Sequence, residues 1–113
     1  MLYAFLPAIA VAEVFGIAGD EAVRRLKAYQ QLPGRLSSLQ GIKGTTIIDS
    51  TYNAEPASVY AALEVLRDFP AKRRIAVLGD MLELGERERD AHIEIGRFVS
   101  TAVDMAVLIG PRY

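Results

Sequence analysis

The chain has 113 residues, 51% apolar, 24% charged and 8% aromatic, which is one ordinary domain with enough apolar content to bury a core. Thirteen basic against fourteen acidic residues leave a net charge of -1, which speaks against a broad basic footprint for nucleic acid or an anionic membrane. With no cysteine and one histidine, His92, a disulfide scaffold, a thiolate metal site and a His-rich metal centre are all excluded.

Residues 2–18 carry a single charge, Glu13, and are interrupted by Pro7 and Gly16. No Lys or Arg precedes Arg24, so a secretory signal or membrane anchor is disfavoured. Leu6, Ile9, Ala10, Glu13, Val14 and Ile17 fall at helical spacing, but the remaining face is apolar too, which predicts a helix buried on several sides by packing partners that this chain does not contain. Asp20 is the expected cap of a second helix running to about Gln30. Leu32-Pro33-Gly34 ends it and marks a boundary between residues 1–31 and 32–113.

Residues 35–39 and 45–49 predict two strands joined by a Gly-bearing connector, the second rich in β-branched residues. A polar loop, residues 50–55, leads to Pro56, suited to the first position of a helix. Val59, Ala62, Leu63 and Leu66 give that helix its apolar face, and Pro70 lies beyond its end. Residues 74–79 form an apolar strand, 80–85 a loop, 86–102 an amphipathic helix and 105–109 another apolar strand. From residue 45 the order is strand, helix, strand, helix, strand, which predicts a doubly wound α/β layer.

Ligands of open α/β sheets bind beyond the carboxyl ends of the strands. Two polar loops belong there, Asp49–Glu55 and Asp80–Glu83. Asp49 suits a ribose, since a carboxylate accepts from two neighbouring hydroxyls; equally, it can shape the turn. Tyr52 can stack on a base and Asn53 offers both a donor and an acceptor, or caps the next helix. Arg35 can hold a phosphate or ribose, or pair with a surface carboxylate. Asp80 can serve the second loop or merely fold it, and His92, beside Asp90 and Glu94, is expected on the surface. Residues 41–46 look phosphate-like but join two strands and open no helix, so they read as a hairpin turn.

Pro33-Gly34-Arg35, the stretch from Ile47 to Ser58 with its Tyr52-Asn53-Ala54-Glu55-Pro56 loop, and Val77–Gly85 with Gly79-Asp80-Met81-Leu82-Glu83-Leu84-Gly85 together resemble the Mur ligase family. The resemblance implies α/β architecture: part of a Rossmann-like C-terminal Mur ligase domain over 32–113, preceded by a helical end of the central ATP-binding domain over 1–31. It implies a cytoplasmic bacterial ligase of peptidoglycan synthesis that uses ATP and Mg2+ to join D-Ala-D-Ala to UDP-MurNAc-tripeptide. In that chemistry ATP phosphorylates the acceptor carboxylate, the amine attacks the acyl phosphate, and phosphate leaves.

By position, Arg35 and Asp49 match ATP-binding residues, with Asp49 on the ribose. Tyr52 and Asn53 match the adjoining nucleotide loop, and Asp80 a substrate-side loop. The family's phosphate loop, magnesium ligands and modified lysine have no counterpart here, so the chain alone is expected to be inactive. Asp49-Ser50 stands where many relatives have two Asp, leaving open which of the two faces the ribose, and Glu55 replaces a common Asn. Ala4 stands at an adenine-side Asn position. A non-catalytic nucleotide-binding module and an α/β interaction domain remain alternatives.

Overall fold

The computed structural model describes residues 5–113, so Ala4 and the start of the first helix lie outside the described residues. The chain divides into two compact units, one ending at Gln31 and the other running Leu32–Tyr113.

In the first unit, helix α1 (Phe5–Val14) turns at Gly16, whose φ of +77° is a left-handed conformation that glycine adopts freely, into α2 (Gly19–Leu26). The cap of α2 is Ala18, not Asp20; Asp20 sits inside the first turn and pairs with Arg24 at 2.7 Å. The helix closes early because the N–H groups of Lys27, Ala28 and Tyr29 each donate three residues back, tightening the last turn. Within this chain none of the residues of α1 is buried, in line with a helix whose packing partners the chain does not supply. Its apolar residues surround the axis, and α2 covers only a strip of them.

The second unit opens with a hairpin, β1 (Ser37–Gln40) antiparallel to β2 (Thr46–Asp49), with Ser37 opposite Asp49 and Gln40 opposite Thr46. Its connector is a tight turn with Lys43 and Gly44 at φ of +54° and +74°. The first strand begins later than anticipated because Gly34 and Leu36 both have positive φ, so residues 33–36 are a turn.

Helix α3 (Pro56–Asp68), strand β3 (Ile75–Gly79), helix α4 (Glu88–Ala102) and strand β4 (Met105–Ile109) follow, with β3 and β4 parallel and in register from Ile75–Met105 to Gly79–Ile109. The anticipated single layer therefore holds for β3–α4–β4, whereas β2 bonds to β1 in a separate hairpin. The core lies where α3 and α4 pack on β3, around Val59, Leu63, Ala76, Met81, Ala91, Ile95 and Val99.

Arg74 ties the far end of this layer. Its N–H donates to the Asp104 carboxylate at 2.6 Å, and its carbonyl accepts from the N–H groups of Asp104 and Met105. Its guanidinium donates to the carbonyls of Leu66 and Phe69 at the end of α3. The carboxyl ends of the strands are left for the loops that carry the candidate residues.

Candidate functional site

The turn before β1 and the loop after β2 are bonded together through one carboxylate. Asp49 Oδ2 accepts from the Gly34 N–H at 3.1 Å, while Oδ1 accepts from the Thr51 N–H at 3.1 Å and the Thr51 hydroxyl at 2.7 Å. The Gly34 carbonyl in turn accepts from the Tyr52 N–H at 3.0 Å. These donors, the Thr51 hydroxyl foremost, hold the Asp49 carboxyl below the usual carboxylate range. Asp49 thus performs the turn-shaping role open to it in the sequence. Two ionised oxygens offer about four acceptor positions, and three are taken, so roughly one remains for an incoming hydroxyl.

Gly34 is required at this junction. Its φ is +76°, and a Cβ there would meet the Tyr52 nitrogen at 3.1 Å and the Tyr52 Cβ at 3.3 Å. The close approach brings Arg35 over the Tyr52 ring, with Cζ 3.8 Å from the ring centroid. Arg35 makes no surface ion pair, so the alternative of a simple carboxylate partner is not realised among the described residues. Tyr52 is still 68% exposed and has ring surface available for stacking.

Asn53 Oδ1 accepts from the Ala54 N–H at 2.9 Å, holding the loop ahead of Pro56. Ser58 completes the helix start: its hydroxyl donates to the Glu55 carbonyl at 2.8 Å and accepts from the Glu55 N–H at 3.1 Å. Asn53 and Glu55 separate two hollows. The smaller, about 340 Å³, is lined by Gly34, Arg35, Ser50, Tyr52 and Ser58 on its far side. The larger, about 580 Å³, is lined by Pro56, Ala57, Leu82, Glu83, Leu84 and Arg87. Both volumes fall in the range of small-molecule sites.

Arg35, Asp49, Tyr52 and Asn53 are therefore gathered in one place. Asp80 is not among them. Its side chain, 11% exposed, pairs with Arg112 Nη1 at 2.9 Å and accepts from the Arg112 N–H at 3.2 Å. The loop that Asp80 begins does reach the larger hollow, through Leu82, Glu83 and Leu84.

The expectation of a surface His92 is overturned. It is 3% exposed, with Nε2 accepting from the Met81 N–H at 3.1 Å and Nδ1 bonded to the Glu88 carbonyl at 2.7 Å. Its sequence neighbours Asp90 and Glu94 face away on the helix, while its partners are Glu88, one turn back on α4, and Met81 from the preceding loop. Thr51, Glu83 and Arg87 were also missed as site residues. Positive φ at Glu83 has no signature in a run that reads as an ordinary loop.

Residues 34–113 match the family model described as Mur ligase, glutamate ligase domain. The chain is 36% identical over 96 residues to UDP-N-acetylmuramoyl-tripeptide–D-alanyl-D-alanine ligase of Bacillus subtilis (strain 168), covering 84% of this chain and 21% of that protein. The ligase of the same description from Escherichia coli (strain K12) is 32% identical over 106 residues, covering 93% and 23% respectively. Among solved structures, MurF from Acinetobacter baumannii superposes with a TM-score of 0.80 at 33% identity, over 92% of this chain and 23% of that one. MurF ligase from Thermotoga maritima, in complex with ADP, gives 0.76 at 34% identity, over 88% and 22%. The chain thus spans less than a quarter of the length of these relatives.

Proposed function

The chain belongs to the Mur ligase family, and on that premise we propose that it is the nucleotide-facing part of an ATP-dependent ligase that adds D-Ala-D-Ala to UDP-MurNAc-tripeptide. The observation that carries this reading is the hollow beside the carboxyl end of β2, lined by Arg35, Tyr52 and Asn53, with Asp49 bonded to its Gly34 wall. A nucleobase stacks on Tyr52, and the Arg35 guanidinium, held by the same ring, faces the nucleotide's anionic part. Asp49 spends most of its acceptor capacity on the loop and offers its remaining position to a ribose hydroxyl. Ser50 is the neighbouring alternative for that contact.

The larger hollow takes the dipeptide side of the reaction in this reading. It combines apolar walls from Leu82, Leu84 and Ala57 with the carboxylate of Glu83 and the guanidinium of Arg87, matching a small zwitterion with methyl side chains. A magnesium ion does not fit the residues present. No group of three or more metal-ligating side chains occurs among the described residues, and Asp49 and Asp80 are each engaged by protein donors. We assign the metal, the phosphate loop and the acylation chemistry to an upstream central domain, of which residues 1–31 form the helical end. In this reading the ligase works in the bacterial cytoplasm; no described helix is long and apolar enough to cross a membrane.

The test is ligation by the complete polypeptide that carries this chain. With ATP, UDP-MurNAc-tripeptide and D-Ala-D-Ala it should release phosphate and form the pentapeptide product, whereas the chain alone should do neither. In the complete polypeptide, Asp49→Asn should reduce the preference for ATP over deoxy-ATP. Nucleotide binding without ligation would replace this reading with that of a non-catalytic nucleotide-binding module.

A further inference from the structure

The loop between β3 and α4 is held in a conformation it would not adopt unaided. Glu83, a non-glycine residue, has φ of +62°, a left-handed conformation that costs free energy and persists only where the surroundings impose it. Glu83 and its neighbours Leu82 and Leu84 form one wall of the larger hollow. Two residues upstream, the Met81 side chain is fully buried and its N–H points into the protein, toward His92 Nε2.

The two bonds of His92 define its state. Accepting at Nε2 from an N–H requires a bare nitrogen there, so the proton sits on Nδ1 and is donated to the Glu88 carbonyl. The ring is packed edge-on by Tyr113, with centroids 4.7 Å apart. Beside it, Arg112 bridges Asp80 and Glu88, at 2.9 and 2.8 Å. One end of the loop is therefore fastened to the first turns of α4 by a neutral imidazole and by an ion-paired bracket.

We propose that His92 is a positioning residue for the ligation reaction: through Met81 it fixes the 81–84 loop that walls the larger hollow, without touching a substrate itself. The proposal rests on reading that hollow as the dipeptide side.

Two substitutions separate packing from hydrogen bonding. His92→Phe keeps ring volume against Tyr113 but leaves the Met81 N–H without an acceptor; His92→Gln keeps a carbonyl oxygen able to accept it. In the chain, H92F should speed hydrogen exchange at the Met81 amide roughly tenfold or more, and H92Q should restore much of the protection. In the complete polypeptide, H92F should raise KM for D-Ala-D-Ala by roughly tenfold while KM for ATP stays put, with partial rescue by H92Q. Met81 protection unchanged in H92F, or equal rises in both KM values, would overturn the proposal. If H92F fails to fold, the nitrogen-15 spectrum of wild-type His92 decides, since a proton found on Nε2 rather than Nδ1 overturns it as well. A complete polypeptide that does not ligate at all ends the functional reading instead, while the Met81 amide still judges the hold of His92 on the loop.

Discussion

Gly34 and Gly44 offer a matched pair of perturbations. Their φ angles are +76° and +74°, so alanine at either position meets the same backbone penalty, about 1–2 kcal/mol for a left-handed conformation. A smaller unfolded chain entropy gives back about 0.4–1 kcal/mol in both cases. The surroundings differ. Nothing lies within 4 Å of a Cβ added at Gly44, so Gly44→Ala should lose about 1 kcal/mol and no more. At Gly34 the same atom meets the Tyr52 nitrogen at 3.1 Å, the Tyr52 Cβ at 3.3 Å and the Thr51 Oγ1 at 3.4 Å. The crowded neighbours are backbone and loop, not the end of a flexible side chain, so the contact is relieved by prising residue 52 from residue 34. That lengthens the Tyr52 N–H bond to the Gly34 carbonyl, a net loss of about 0.5–1.5 kcal/mol. Gly34→Ala should therefore lose about 1 kcal/mol more than Gly44→Ala in urea unfolding of the chain, and only Gly34→Ala should speed amide exchange at Thr51 and Tyr52. Equal losses with unchanged exchange in both variants would refute the argument that Gly34 is needed for its close approach as well as its φ.

Three further outcomes follow from the same packing and electrostatics. Because Thr51 and Gly34 hold the folded Asp49 carboxyl below its ordinary value, the stability it contributes is present above the unfolded value near ~3.9 and is lost as pH falls through the folded one. Asp49→Asn should then flatten the acid limb of the urea midpoint below about pH 4, and an identical acid limb in both proteins would contradict that. Ile95→Ala, at a fully buried position between α3, α4 and β3, should cost about 2–5 kcal/mol by thermal or urea unfolding; a loss under about 1 kcal/mol would mean the core there is not packed as described. Leu6, Val11, Val14 and Phe15 are exposed together along and just after α1, so the chain should bind a hydrophobic dye and self-associate at micromolar concentration, and a dye-silent monomer in sedimentation would count against it.

What the sequence discloses here is set by how far apart the determining residues lie. Helix α3 was legible because its apolar spacing, the leading Pro56 and the trailing Pro70 are all local, and Val59 and Leu63 are buried as that spacing requires. The parallel pair β3–β4 was legible as two apolar runs separated by one amphipathic helix. The β1–β2 hairpin is legible from its Gly-bearing connector, whereas the end of α2 rests on bonds three residues back at Lys27, Ala28 and Tyr29, and the late start of β1 on a φ that Leu36 rarely adopts. In the candidate site, the motif around Asp49 singles out the loop after β2, but the bond of Asp49 to Gly34 spans fifteen positions and is invisible to local patterns. Asp80 and Arg112 are thirty-two positions apart, and nothing near Asp80 in the chain announces that partner. His92 is the same case in reverse: local charges argued for the surface, while Met81 and Tyr113 enclose it from distant segments.

Arg74 gives the second unit an asymmetry with an evolutionary meaning. One residue binds the end of α3, the start of β3 and the start of β4 through main-chain carbonyls and a single carboxylate. The layer is consequently stitched at the edge farthest from the loops that follow β3 and β4. Substitutions and changes of length in those loops leave the stitched edge intact, so recognition can be rewritten at one border while assembly is guarded at the other. A scaffold divided in this way can exchange one small substrate for another without first having to learn again how to fold.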